Sequence, residues 1–139
     1  MLCLEMVGYY CQDKHSQLLP ETMPRLLRPF FPNRGNFLAA VGNLASAALV
    51  WQFRRGFKSA TRFPLFSIAL PSAISEIRLS DNSSFWDQGY SALMLTDTSF
   101  LRNLHYHQPS DEPSTLDYEA MAQITRGVLG AMARLSQAG

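Results

Sequence analysis

The chain has 139 residues, 47% of them hydrophobic and 17% charged, with a formal net charge of +1. That is enough apolar sequence for the core of one domain, residues 1–139. The even balance argues against a nucleic-acid-binding protein, and no run of about 20 uncharged apolar residues exists to span a membrane. Charge is uneven along the chain: residues 1–70 hold eight Lys/Arg and three Asp/Glu, residues 71–139 four and eight. The scattered basic residues suit a solvated face or one that meets an acidic surface.

The first segment, "LCLEMVGYY", reads as a short buried strand ended by Gly8, with one carboxylate, Glu5, inside it. A lone Glu in such a strand costs several kcal/mol unless it is paired or bound to a metal. Its start is no signal peptide: it lacks a basic region, and Glu5 breaks the apolar run. As written, the chain is expected to stay in the cytoplasm. Cys3 and Cys11 are too few for a disulfide framework and lack metal-site spacing, so buried free thiols are expected. Residues 11–36 are polar, aperiodic and Pro-rich, which predicts a long surface loop; loops of that length in compact domains are usually functional or disordered.

"FLAAVGN" is a second strand. A helix follows, capped by Asn43, with Leu44, Ala47, Ala48 and Trp51 on its apolar stripe and Arg54, Arg55 and Lys58 in its last turns. "LFSIALP" is a third strand stopped by Pro71. "SDNSSFWDQG" predicts a polar turn into a short helix ending at Gly89, and "SALMLTDT" a fourth strand. In the last helix Met121, Ile124, Val128, Leu129, Met132 and Leu135 recur at spacings of three and four, with Ser114 or Thr115 as cap. Strands alternating with helices predict an α/β layered fold with a largely parallel or mixed sheet. Sites in such sheets form at the carboxyl ends of strands, and Glu5, Asp81, Asp97 and His107 fall at or just after predicted strand ends.

Between the last strand and helix lies "HYHQPSDEPSTLD", His105 to Asp117, with two histidines and three acidic residues before the helix. His107 has the chemistry of a metal ligand, with Asp111 near enough in sequence to orient it. From spacing alone, a hydrogen-bonded loop histidine is the simpler reading. The His105/His107 pair is not a zinc signature, because ligands on one helix face stand four apart. For Glu5 the simpler reading is a buried salt bridge or a misread strand face. Ser83 and Ser84 lack the G-x-S-x-G elbow of a serine hydrolase, and there is no glycine-rich phosphate loop.

Three pieces in order, "LEMVGYY", "SDNSSFWDQGYSALMLTDT" and "NLHYHQPSDEPSTLDYEAM", closely resemble the C-terminal half of the di-zinc exopeptidases. These include bacterial leucyl aminopeptidases, glutamate carboxypeptidase II and glutaminyl cyclase. The resemblance implies a partial three-layer α/β sandwich. It implies that Glu5, the acidic residue of the family's "L-[DE]-M-x-G" strand, ligates one zinc ion, and that His107, from the "H-x-x-x-D" loop, ligates the other. Asp111 would be a partner behind His107, His105 a neighbour and not a ligand, and Thr96 to Thr98 with Asp97 the rim of the substrate pocket. The family's "S-D-H" triplet appears as Ser80, Asp81 and Asn82, and the family threonine after Asp111 is Glu112.

The family's upstream "H-x-D" and "Glu-Glu" motifs, which supply a histidine ligand, the bridging aspartate, the general base and a further ligand, do not occur here. Each zinc would keep one ligand where a catalytic zinc takes about three plus water. The resemblance therefore implies a portion of a zinc-dependent aminopeptidase acting on peptide or amino-acid derivative substrates. The chain alone is expected to bind zinc weakly, to hydrolyse nothing and to self-associate through an exposed sheet edge. The alternative is a non-catalytic scaffold or interaction domain that keeps the exopeptidase fold.

Overall fold

The computed structural model describes residues 1–139 apart from positions 22, 27, 138 and 139. Among the described residues four strands form one sheet: β1 (Leu2–Leu4), β2 (Leu38–Asn43), β3 (Leu65–Leu70) and β4 (Leu93–Thr96), in the order β1-β4-β2-β3. β1 runs parallel to β4 and β2 parallel to β3, while β2 and β4 are antiparallel, so the sheet is mixed. Among the described residues three α-helices accompany it: α1 (Ala47–Ala60), α2 (Asn82–Asp87) and α3 (Tyr118–Ser136).

Alternation along the strands divides the core in two. Leu38, Ala40, Leu93 and Leu95 face α1 and α3 and pack on Val50, Phe53, Phe57 and Ile124. Ala39, Val41 and Met94 face the other way, toward Ile77 and Trp86 in the 71–89 segment. This second face is only partly covered. The indole of Trp86 donates to the Ala92 carbonyl (3.0 Å), tying α2 to the start of β4.

The sheet, the α1–α3 pair and the strand positions follow the sequence reading, with several corrections. β1 is shorter than "LCLEMVGYY" suggests, because Met6 turns the chain with φ of 53°. Asn43 does cap, but first a 3-10 turn at Leu44–Ser46, where its Oδ1 accepts from the Ser46 amide (2.9 Å). The stripe of Leu44, Ala47, Ala48 and Trp51 is exposed; Val50, Phe53, Gly56 and Phe57 are buried instead. The displaced Trp51 lies under the Arg55 guanidinium, 4.7 Å from the ring centre. On α3 the buried face is Ala120, Ile124, Gly127, Val128 and Ala131, leaving Leu129 and Met132 exposed. The cap of α3 is Asp117, which accepts from the Ala120 amide (2.9 Å), and Ser114 and Thr115 lie in a preceding 3-10 turn.

Small residues win these faces because α1 and α3 approach closely. A Cβ on Gly56 would sit 2.5 Å from the Ala131 Cα, so only glycine permits this crossing. α2 ends at Asp87, two residues short of the expected Gly89, which follows the Gln88 cap with a φ of 79° that favours glycine. Among the described residues no helix is long and apolar enough to cross a membrane.

Candidate metal centre

The site is built at the carboxyl ends of β1 and β4. One step beyond the Leu4–Leu95 pair, the Glu5 amide donates to the Leu95 carbonyl (2.9 Å), which sets Glu5 beside Thr96 on the partly covered face. Its carboxylate accepts from the Ser80 hydroxyl (2.9 Å), which also lies 3.2 Å from the Cys3 thiol. Cys3 is a buried free thiol; Cys11 is free but only half-buried. Among the described residues Glu5 has no ion-pair partner, so the buried salt bridge considered for it is not formed.

Backbone strain concentrates here. Of five described non-glycine residues with left-handed φ, four flank this end of the sheet: Met6 after Glu5, Thr98 and Ser99 after β4, and His107 (56°). Such conformations persist only where their surroundings hold them. Asp97 does much of that holding. It is 1% exposed, and its carboxylate accepts from the amides of Tyr9 (2.9 Å), Gly8 (3.2 Å) and Ser99 (2.9 Å). Burial pushes its pKa up, against the amides and the nearby Arg102 charge, which pull it down. Asp97 thus faces inward to the backbone and not the groove, whose lining includes its neighbours Thr96 and Thr98.

Arg102, 4% exposed, is the second hub and one that sequence reading missed. Its guanidinium donates to Gln17 Oε1 (2.7 and 2.9 Å) and the Phe37 carbonyl (2.9 Å), and stacks over the Phe37 ring at 4.5 Å. Gln17 in turn donates to the Thr98 hydroxyl (3.0 Å). This network pins the Pro-rich loop to the turn after β4. Burial lowers the Arg102 pKa to about 10, opposed by Asp97 and Tyr10. An isolated arginine in "FLRN" carries no periodic signal that could have announced it.

The predicted histidines lie close by in sequence but play different parts. His107 is exposed and stacks on Tyr106, ring centres 3.9 Å apart. His105 Nδ1 lies 3.0 Å from the Ser110 hydroxyl, and its ring meets Tyr9 edge-on. Asp111 is exposed; its amide donates to the Gln108 carbonyl, and among the described contacts it makes none with His107. Asp81 is also exposed, its carbonyl accepting from the Ser84 amide. Asn82, where the resembling family has histidine, is wholly buried; its Nδ2 donates to the Ile77 carbonyl (2.9 Å) while its Oδ1 has no partner.

Among the described residues no group of three or more His, Cys, Asp or Glu side chains could hold a metal ion. A catalytic zinc takes about three protein ligands, so the residues present do not by themselves fit one.

A mixed sheet with paired helices on one face and a strained, polar site at two strand ends defines an α/β layered domain. The model of peptidase family M28 matches residues 33–132, and the chain belongs to that family, the di-zinc exopeptidases. A curated relative, "Uncharacterized protein YfbL" of Escherichia coli strain K12, is 36% identical over 129 residues, 93% of this chain. The chain spans 39% of that relative's length. No solved structure matches it significantly.

Proposed function

We propose that these residues form the C-terminal portion of a zinc-dependent aminopeptidase-like domain, contributing Glu5 and His107, one ligand toward each of two zinc ions. The parent reaction is hydrolysis of an N-terminal peptide bond in a peptide or amino-acid derivative. The chain alone does not perform it. The observation that carries this reading is the incomplete donor set: Glu5 stands at the end of β1 without a cationic partner, and no described group of three metal-binding side chains exists around it. The span of two fifths of the relative supports the same reading. β1 has a partner on one side only, and that open edge favours self-association or pairing with a further strand.

The test has two arms. Zinc calorimetry on the 139-residue chain is expected to show no binding tighter than micromolar, with no cleavage of leucine p-nitroanilide; sub-micromolar binding at two sites would sink the proposal. Joining the chain to the portion of YfbL outside the matched segment should restore two zinc ions per molecule, and Glu5→Ala or His107→Ala should each remove one. A second reading, a non-catalytic scaffold, is favoured by Asn82, which is committed to the Ile77 carbonyl beneath the site. A folded chimera that binds no zinc would select it.

A further inference from the structure

The outer surface of the helix pair lies on the opposite side of the sheet from Glu5. It carries a cleft of about 540 Å³ where the end of α1 faces the first half of α3. The cleft is lined with charge. Lys58 comes from the last turn of α1, Thr61 is the residue that ends that helix, and Arg62 follows it. Glu119, Gln123 and Arg126 come from α3, where spacings of four and three put them on one stripe. Three cations thus share the cleft with one carboxylate.

Helix electrostatics accounts for two of these charges. A cation suits the last turn of α1 and an anion the first turn of α3, and Lys58 and Glu119 fill those places. Arg62 lies past the end of α1 and Arg126 in the middle of α3, where no helix end calls for a cation. The neighbouring arginines of α1 are engaged. Arg54 donates to the Ser67 hydroxyl (3.2 Å), and Arg55 lies over the Trp51 ring. The side chains of Lys58, Arg62 and Arg126 have no hydrogen-bond or ion-pair partner among the described residues, and Glu119 forms no ion pair with them. Thr61 Oγ1 accepts from the Phe63 amide (3.2 Å), which leaves its hydroxyl proton to donate elsewhere.

We propose that this cleft binds a phosphate group carrying about two negative charges. Three cations against one carboxylate leave an excess of two positive charges, which a single carboxylate ligand does not match and a phosphate dianion does. Phosphate oxygens also suit the guanidinium forks of Arg62 and Arg126, while Lys58 acts as a point charge. Two sources share the chemistry: free phosphate or pyrophosphate, and the phosphate ester of a small molecule. The inference needs no metal and does not depend on Glu5 or His107.

The 139-residue chain is titrated by calorimetry at low ionic strength, in EDTA, with inorganic phosphate, pyrophosphate, adenosine monophosphate and citrate. Pyrophosphate is expected to bind with a Kd on the order of 100 μM. Citrate, of comparable charge but without phosphate oxygens, should bind about fivefold more weakly. Adenosine monophosphate binding tighter than inorganic phosphate identifies an ester as the ligand, and equal affinities identify free phosphate. Arg62→Gln and Arg126→Gln should each weaken pyrophosphate about fivefold, the upper end for an exposed charge pair. Glu119→Gln should strengthen it severalfold by removing the one repelling charge, a result that loss of folding does not produce. Arg54→Gln, one turn from Lys58 but outside the cleft, should change it less than about twofold. The proposal is overturned if no phosphate compound binds, if citrate binds as tightly as pyrophosphate, if Glu119→Gln has no effect, or if Arg54→Gln weakens binding as much as Arg126→Gln.

Discussion

The Tyr9 amide lies 2.9 Å from Oδ2 of Asp97, so the turn that follows Glu5 is held by the residue that follows β4. The same carboxylate holds the Thr98–Ser99 turn through the Ser99 amide. Both sides of the candidate site are thus fastened to one buried side chain.

Asp97→Asn keeps the shape but leaves an amide group facing backbone N–H donors. It should cost about 2 kcal/mol at neutral pH, within the usual penalty for an unsatisfied buried group. The pH dependence has a definite sign. Burial raises the Asp97 pKa in the folded state, so the folded chain holds its proton more tightly than the unfolded chain, whose value is about 3.9. Stability contributed by Asp97 therefore falls as pH rises from about 4 through the raised folded value. Urea midpoints of both proteins across that window should show the variant's deficit shrinking as pH rises; a growing deficit would falsify the assignment.

Arg102→Lys retains the charge and loses the fork that reaches Gln17 and Phe37 together. Hydrogen bonds to a charged group are worth about 1.5–3 kcal/mol each, so a loss of about 3 kcal/mol is expected. Limited proteolysis should then cut the 11–36 loop sooner than the rest of the chain. Unchanged cleavage would show that the loop is held elsewhere.

For His107 two substitutions separate strain from contact. Its left-handed φ of 56° is costly for a side chain and free for glycine. Both His107→Ala and His107→Gly lose the stacking on Tyr106, yet the glycine variant should be about 1 kcal/mol more stable by urea denaturation. Equal stability would mean that the loop re-forms without the left-handed turn.

Gly56→Ala sets helix propensity against packing. Propensity favours alanine by about 1 kcal/mol, but the new methyl meets backbone of α3 that cannot rotate away. Overpacking of this kind costs about 1–3 kcal/mol, so a net loss near 1 kcal/mol is expected, read as a lower urea midpoint. A gain in stability would show that the helices can part without penalty.

Much of the architecture was legible in the chain. The three longer strands are short apolar runs; the limits of β2 and β3 carried over to within a residue, while β4 is two residues shorter at each end than "SALMLTDT". The helices were legible as helices but not by face. α1 offers two apolar stripes, and the choice falls to the one whose Gly56 lets α3 approach, a property of the partner helix and not of the periodicity. The resemblance led to the family, which the match over residues 33–132 bears out. What no local pattern could show was long-range polar pairing. Asp97 reads as a pocket-rim residue until the amides of Gly8 and Tyr9, nearly ninety positions earlier, are brought to it.

The pairing of Leu2 with Leu93 has a consequence for synthesis. The two lie 91 positions apart, whereas β2 and β3 with the helix between them form a nearly local unit. At translation rates of about 5–20 residues per second, β1 waits roughly 5–18 s on the ribosome before β4 exists to receive it. The Glu5–Leu95 hydrogen bond that sets Glu5 beside Thr96 therefore cannot form until β4 has been made.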